Sequence, residues 1–340
     1  MKKYKGFNLL ELLVAIAISA AVITAITSSY GSLLSGYTFN NGKTQLYQSM
    51  RLTMNLIKRD LQNAGTFGSY SLHYSVNNSV TTSFLNGGGN CVNDYCAYQA
   101  ANGALGVGVF SSASGAMASP LIQSASSEII RIQFGGNKTA YYSTRSTGCG
   151  GGQISSINFN VPTGNATSVS SYVLASSNRA YLINLASASS NVSIDLSASC
   201  AIAITSLNGA VMTVPDQATM VLVPLITKYY FVKTVNGKQG LYVLSFDGAN
   251  LVGPTLISSL ITNISFRYIV DTSAANFNHV AANNTYQICQ TSNMVTSGTA
   301  GSNCIWNRVV GVIVTLTGQV SSGAGGAITQ TLTDSVGWSW

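Results

Sequence analysis

The sequence predicts an α+β protein in which one long N-terminal helix packs on an antiparallel, β-rich C-terminal domain. Three observations carry this prediction. An unbroken apolar run lies near the N-terminus of the 340-residue chain, and an apolar stripe with helical spacing follows it. Short strand-like segments between Ser, Asn and Gly clusters fill most of the rest. The helix is therefore expected at the N-terminal end of the chain and the strands in the residues that follow it.

The apolar run occupies residues 9–26, and Glu11 is its one charged residue. The run contains no Gly or Pro, so a helix can continue through it without a break. Eighteen helical residues span about 27 Å, which is close to the thickness of a bilayer core. A charge inside such a segment costs about 2.5–3.5 kcal/mol on insertion scales, so Glu11 is a candidate functional residue.

The charges around this run predict its orientation. Lys2, Lys3 and Lys5 precede it, and after Glu11 no charge follows until Lys43. The positive-inside rule then places the N-terminus in the cytoplasm and the chain after about residue 30 outside. The alternatives are an ordinary secretory signal peptide and a plain uncleaved anchor. A signal peptide has a shorter apolar core, and the carboxylate inside this one argues against it.

The second helical segment is identified by its spacing. Apolar residues recur at intervals of four, four, three and four, which places them on one helix face. The members of this stripe are Leu46, Met50, Met54, Ile57 and Leu61. Gly65 supplies a C-terminal cap. The simplest interpretation is one helix over residues 7–64, whose second half packs on a globular domain through the stripe. The charged residues of this half are expected largely off that face: Arg51, Lys58, Arg59 and Asp60.

Strands are predicted where apolar and polar residues alternate between turn signals. The segments are residues 128–134, 220–226 followed by 228–233, 240–244, 256–271 and 308–317. Asn236-Gly237 separates two of these segments and predicts a tight hairpin. Few segments after residue 64 show a helical period.

All six cysteines lie after the apolar run, on the predicted external side. An even number in an oxidising compartment indicates disulfides. Six cysteines allow fifteen complete pairings, and proximity along the chain favours three of the pairs. Those pairs are Cys91–Cys96, Cys149–Cys200 and Cys289–Cys304. The rival is a zinc site with His73 and His279, but the cysteines lack paired C-x-x-C spacing, so no metal ligand is predicted.

Composition argues against several classes of function. Charged residues are 7% of the chain, and the basic ones are scattered, so nucleic acid is not argued as a partner. No G-x-S-x-G motif occurs, and the glycine clusters at residues 87–89 and 148–152 are not followed by G-K-[ST]. Neither an enzyme nor a cofactor is therefore predicted. Residues 90–94 offer Asn and Asp oxygens to calcium but lack the full EF-hand loop pattern.

Gly6-Phe7 followed by Glu11 resembles the processing site of type IV prepilins, G|F-x-x-x-E. The resemblance implies that a prepilin peptidase cuts after Gly6 and that Phe7 becomes the methylated N-terminus. It also implies that Glu11 pairs with the terminal amine of a neighbouring subunit and sets its docking. The expected divisions are a leader at 1–6, a membrane and fibre-core helix at 7–30, its amphipathic continuation at 31–65, and a disulfide-stapled periplasmic or extracellular domain at 66–340.

Residues 51–68, RLTMNLIKRDLQNAGTFG, resemble the segment after the membrane helix in PilW-type minor pilins. Residues 229–244, 260–268 and 306–312 resemble later strands of the same family. The matching motif positions are Arg59, Asp60, Leu61, Ala64 and Gly65. The resemblance implies a structural subunit that waits in the inner membrane and then joins other minor pilins and the major pilin. Such subunits prime pilus assembly and occupy the tip at the cell surface, often with a tip adhesin.

Two related functions remain as alternatives, and a third lies outside the family. A type II secretion pseudopilin of the J type shares the same plan, and the N-terminus does not separate the two. A tip adhesin or DNA-binding subunit would use loops at residues 86–98 and 276–304, which also suit disulfide-stapled loops. An exported enzyme on a membrane anchor is the third, and no catalytic motif supports it.

Overall fold

The computed structural model describes the following residues: 9–67, 70–71, 103–104, 107–110, 125–136, 140–146, 156–160, 171–176, 179–184, 191–195, 202–205, 211–212, 221–247, 251–271, 286–290, 293, 304, 309–322 and 326–337. These residues form one long helix and antiparallel sheets, which confirms the α+β prediction.

Helix α1 spans Leu9–Asn63 without a break. It continues through Gly31, Gly36 and Gly42 because a glycine lowers helix propensity by only about 1 kcal/mol. The predicted C-terminal cap is confirmed, since Gly65 has a φ of 73°, a conformation that glycine adopts at no steric cost. The Gly65 amide donates to the Gln133 carbonyl at 2.9 Å, so the helix end is fixed to a strand.

Nineteen strands follow among the described residues. The first twelve are β1 Thr66–Phe67, β2 Tyr70–Ser71, β3 Gly103–Ala104, β4 Val107–Phe110, β5 Ile129–Gly135, β6 Ala140–Ser146, β7 Ser156–Asn160, β8 Ser171–Ser176, β9 Arg179–Asn184, β10 Asn191–Asp195, β11 Ile202–Thr205 and β12 Val211–Met212. The last seven are β13 Val221–Val235, β14 Lys238–Phe246, β15 Leu251–Ser258, β16 Ile261–Asp271, β17 Tyr286–Gln290, β18 Val309–Ser322 and β19 Gly326–Gly337.

Strand β13 is the central strand of the larger, eleven-stranded sheet and pairs with β5, β6, β8 and β14. Its first four residues pair with β8, whereas the strand from Leu225 onward pairs with β5 and β14. Pro224 lies at this change of partners, which is a place where a strand tolerates a residue without an amide donor. The sequence predicted two successive runs here, and the structure joins them into one strand.

The smaller sheet has four antiparallel strands in the order β17-β16-β18-β19. Strands β18 and β19 pair over twelve consecutive residue pairs, from Gly311 with Gly337 to Ser322 with Gly326. Side chains alternate between the two faces of these strands, so one face of the sheet packs against α1 and the other carries hydroxyl-bearing residues. Strand β19 was not among the predicted strands.

Two further strand predictions are tested by the structure. Asn236 and Gly237 form the turn between β13 and β14, which confirms the predicted hairpin. Their φ values of 51° and 76° are those of a type I′ turn. The segment at residues 256–271 was predicted as a strand, but a turn at residues 259–260 divides it between β15 and β16.

The main hydrophobic core lies between α1 and the two sheets. It includes Tyr230 and Val232 of β13, Phe266 and Tyr268 of β16, and Leu316 of β18. A second cluster covers the opposite face of the larger sheet around Tyr229, Phe231 and Tyr242, where the rings of Phe231 and Tyr242 stack. The helix is therefore part of the core of the domain from about residue 46 onward.

A disulfide joins Cys289 of β17 to Cys304, with a Cα–Cα distance of 5.8 Å. This is one of the three pairs favoured by proximity along the chain. Both sulfurs lie in the core, where Cys289 is 1% exposed. The other four predicted cysteines, Cys91, Cys96, Cys149 and Cys200, lie outside the described residues.

Candidate assembly site: the exposed helix and its junction with the sheets

The N-terminal part of α1, residues 9–41, projects beyond the sheets and is called the arm below. Every residue of the arm is exposed, and many of them are large and apolar, for example Leu9 at 75% and Ile23 at 63%. At 1.5 Å per residue the arm is about 50 Å long. Its first eighteen residues form the apolar run, none of which is buried, and this run is long enough to cross a membrane by length and composition.

Threonine hydroxyls of the arm form hydrogen bonds with its own backbone. The hydroxyl of Thr24 donates to the Ala20 carbonyl, and that of Thr27 donates to the Ile23 carbonyl, each at 2.8 Å. Such bonds leave few groups that require water, which suits a helix surrounded by lipid or by other apolar helices.

Glu11 is the only charged residue of the arm, and it lies in the first turn of the described helix. A carboxylate near a helix N-terminus interacts favourably with the helix dipole. The dipole offsets only part of the cost of a charge in an apolar environment, so a cation from outside the arm is needed to offset the rest. The structure thus presents one acidic group within an exposed apolar run.

The second part of α1, residues 42–63, packs on the sheets, and this contact is called the junction below. All five members of the predicted stripe are buried, with exposures of 2% or less. Gly318 of β18 allows the close approach, because a Cβ atom there would lie 2.6 Å from Leu46 Cδ1 and 3.3 Å from Met50 Sδ. The stripe prediction is confirmed, and the helix lies directly against β18.

Asp60 corrects the prediction that the charged residues of this segment lie off the packed face. Its residue exposure is 2%, and one carboxylate oxygen accepts hydrogen bonds from Lys228 Nζ at 2.7 Å and from the Tyr230 hydroxyl at 2.5 Å. Arg59 Nε lies 3.9 Å from the other oxygen. Because Lys228 and Tyr230 supply the donors, a charge can replace an apolar residue on the buried face.

Asp60 and Tyr230 of this cluster are shielded from solvent. Burial is the main reason that the pKa of Tyr230 is raised far above its ordinary value, and the negative charge of Asp60 adds to the effect. Lys228 is 23% exposed and also lies over the Phe134 ring, 5.5 Å from its centroid. The phenol therefore stays protonated and serves as a donor to the carboxylate.

Three further polar contacts connect the helix to strands at the rim of the junction. Lys58 forms an ion pair with Asp334 of β19 at 2.8 Å, and this hydrogen bond lowers the pKa of Asp334. The Tyr47 hydroxyl donates to Gln330 of β19 at 3.0 Å, and the Ser49 and Ser258 hydroxyl oxygens are 2.7 Å apart. Contacts made at several points along one helix fix its axial position on the sheet as well as its distance from it.

These contacts also give the direction of the arm. Gly42 lies by Ile328 of β19, and Lys58 by Asp334 farther along the same strand. The helix therefore runs alongside β19 in the same direction, and the arm leaves the domain beyond the start of that strand. A load on the arm passes into the sheets through the junction.

Residues 1–27 match the family model described as the prokaryotic N-terminal methylation motif. The same residues run into an exposed apolar helix that is joined to an antiparallel β domain. The chain is similar to type IV pilins in this motif and in this arrangement of helix and sheets. The motif points to a structural protein, and with the apolar helix it fits membrane anchoring before assembly into a pilus. No curated protein and no solved structure matches the chain.

The structure places only some of the predicted site residues of this pilin-like chain. Glu11 begins the arm, and Cys289 is bonded to Cys304. Gly6 and Phe7, both histidines and the suggested calcium segment at residues 90–94 lie outside the described residues. In the part of the chain that the structure describes, no three His, Cys, Asp or Glu side chains cluster to hold a metal ion. Of the two suggested ligand loops, 86–98 lies outside the described residues and 276–304 is described only in part.

The sequence prediction missed the buried cluster of Asp60, Lys228 and Tyr230. A signal for it existed, since Asp60 follows Ile57 by three residues and therefore lies on the same helix face. Lys228 and Tyr230 share one face of β13 because they are two residues apart. A carboxylate on the apolar face of the helix needs a donor when it is buried. A Lys and a Tyr on one face of a predicted core strand can supply such donors, so the two patterns together indicate a buried polar cluster.

Proposed function

We propose that the chain is a minor pilin that helps to prime type IV pilus assembly and is incorporated at or near the pilus tip. The observation that carries this proposal is the arm, which is exposed, begins with an apolar run about 27 Å long and is marked at its start by the methylation motif and Glu11. An uncovered apolar run requires either lipid or other apolar helices around it. A subunit that moves from a membrane into a fibre meets both in turn.

In this proposal the prepilin peptidase cuts after Gly6, and the new amine of Phe7 is methylated. Glu11 of the arm then pairs with the N-terminal amine of a neighbouring subunit. The two charges attract strongly in an apolar fibre core, and each offsets the burial cost of the other. A contact at one position along a smooth apolar helix sets the axial register of neighbouring arms.

The proposed partners are other minor pilins, the major pilin and the prepilin peptidase, with a tip adhesin bound to the same complex. The size of the β domain supports a position at the tip, because a large domain at the end of a fibre need not repeat along the shaft. The junction supports a structural role. It joins the arm to the domain by a continuous helix and a core rather than by a linker.

The decisive experiment is mass spectrometry of the N-terminal peptide, taken from membranes and from sheared surface fibres. The proposal expects a peptide that begins at methylated Phe7 and is present in fibres. A peptide that still begins at Met1 in cells with active prepilin peptidase would contradict it and leave an ordinary anchored exoprotein. A processed chain that is absent from pili but required for exoprotein secretion would be a pseudopilin.

Substitution of Glu11 tests the register contact. Glu11→Val is expected to leave membrane insertion intact, because it removes the only charge of the arm, and to lower the amount of chain in sheared fibres. Ser19→Val is a matched control that also makes the arm more apolar but keeps the carboxylate. Equal amounts of both variants in fibres would contradict the role of Glu11 in docking.

A further inference from the structure

In the described part of the chain, the outer edge of strand β19 is open. The strand pairs with β18 along its full length, and among the described residues no other strand pairs with it. Every second residue of an antiparallel edge strand directs its N–H and C=O groups away from the sheet. Over residues 327–337 of β19 these groups form a template on which a further strand can pair.

Natural sheets usually protect such edges with short strands, Lys or Pro residues, or bulges. Two other edge strands of this chain carry these features. Strand β15 contains Gly253-Pro254 and two register shifts against β14, and β17 has only five residues. Strand β19 has no Pro, no Lys and no register shift against β18. Among the described edge strands, β19 is therefore the longest that carries none of these features.

The chemistry of the strand limits what can pair with it. Its one charged residue, Asp334, faces the helix and is paired with Lys58. On the opposite face Thr329, Thr331 and Thr333 are exposed, and the Thr333 hydroxyl lies 3.1 Å from that of Thr315 on β18. Toward the helix, Ile328 and Val336 are buried. A matching strand is therefore neutral, with hydroxyl groups on one face and apolar groups on the other.

The position of β19 beside α1 indicates where that strand comes from. A subunit whose arm packs along this arm is brought next to β19, because the helix and the strand run side by side. A second copy related by two-fold symmetry does not fit. Antiparallel pairing of two β19 strands would direct the arms in opposite directions, and parallel pairing would place the helices on opposite faces of the sheet.

We propose that the open edge of β19 binds an extended, neutral strand of a neighbouring, different pilin-like subunit and continues the four-stranded sheet into it. This inference rests on the proposed function, since it takes the neighbour to be a subunit of the same fibre. The main-chain hydrogen bonds supply affinity, and the alternating hydroxyl and apolar side chains supply register. The contact joins domains of adjacent subunits, whereas the arm joins their helices.

The test compares two lysine substitutions on the same face of the sheet. Thr331→Lys places a charge on the open edge, where it obstructs a further strand. Thr317→Lys places the same charge on the cross-strand partner of Thr331, in the interior of the sheet and away from the edge. Thr329→Lys serves as a second edge variant if Thr331→Lys does not fold. Each full-length chain is expressed in cells with the complete pilus machinery.

The amount of chain in sheared fibres is measured relative to its membrane pool, together with the denaturation midpoint of the purified chain in detergent. The proposal expects edge variants to fall about five- to tenfold in fibres with an unchanged midpoint, since lysine blocks pairing at an edge and not folding. Thr317→Lys is expected to match wild type. Wild-type levels of the edge variants, or equal loss in edge and interior variants, would contradict the edge proposal alone.

Two other outcomes are also decisive. Absence of the wild-type chain from fibres would contradict the proposed function and the edge contact together. A dimer of the wild-type chain in detergent micelles that Thr331→Lys dissociates would show that a second copy is the occupant, and would overturn the assignment to a different subunit. The expected result is a monomer in micelles for both chains.

Discussion

Asp60 provides the buried polar contacts between the helix and the larger sheet. Its carboxylate accepts from Lys228 and Tyr230 in a region where the apolar stripe excludes water. A buried pair stabilises a fold little when compared with an apolar replacement, but loss of one partner is costly because the other remains buried. The cluster therefore fixes the position of the helix more than it adds to the stability of the fold.

Asp60→Asn is expected to lower the free energy of unfolding by about 2–4 kcal/mol, because Lys228 loses the charge that offsets its burial. Asp334→Asn is the matched control, since it removes the same charge from a pair whose carboxylate side chain is 42% exposed. That change is expected to cost about 0.2–1 kcal/mol. Chemical denaturation at neutral pH measures both values, and equal losses would contradict the special position of Asp60.

Tyr230 gives the fold a dependence on alkaline pH. Its pKa is raised in the folded protein, chiefly by burial, so the folded state holds a proton that the unfolded state releases. This contribution is complete below the ordinary tyrosine pKa of about 10 and is lost as pH rises above it. The free energy of unfolding should therefore fall more steeply above about pH 10 in wild type than in Tyr230→Phe. Parallel curves for the two proteins would contradict this assignment.

At the scale of elements, the sequence predicted the parts whose signals are local. The stripe from Leu46 to Leu61 has helical spacing, and Asn236-Gly237 has the backbone preferences of its turn. Strand β19 was missed because its helix-facing side mixes Leu332 with Gln330 and Asp334. The partners of those polar residues, Tyr47 and Lys58, lie 283 and 276 residues away in the chain. No local pattern reveals such a pairing.

The close contact between α1 and β18 predicts a large effect at Gly318. Gly318→Ala places a Cβ atom 2.6 Å from Leu46 Cδ1 and 3.0 Å from the Leu260 carbonyl oxygen. The Leu46 side chain or the helix must shift, and we expect a loss of about 1–3 kcal/mol in the free energy of unfolding, as for other overpacked cores. Gly337→Ala is the control in the same sheet, since nothing lies within 4 Å of its added Cβ atom. A neutral effect of Gly318→Ala would contradict the described packing.

At the scale of the whole molecule, the arm and the domain are separable in stability although they are continuous in structure. The described contacts of α1 with the sheets begin at Gly42, beside Val320 of β18. The arm therefore adds apolar surface without adding to the core. Exposed apolar surface of this extent lowers solubility unless a membrane or another protein surface covers it. This is the physical reason for proposing that the chain is a subunit of an assembly.

Removal of the arm tests this separation. A chain that begins at Asn40 retains every described contact of the junction and starts on a residue that is favourable at a helix N-cap. It is expected to be soluble without detergent and to unfold with a free energy within about 0.5 kcal/mol of that of the full chain. Size-exclusion chromatography and chemical denaturation check both points. Aggregation, or a marked loss of stability, would show that the arm takes part in the fold of the domain.

The parallel course of α1 and β19 has a mechanical consequence. A pull on the arm acts along the strands, so it shears the junction and does not peel the helix from one end. In shear, the apolar stripe, the Asp60 cluster and the rim contacts bear the load at the same time and must yield together. Forced rupture is governed by the barrier to unfolding. The molecule is therefore built to resist tension along its own long axis.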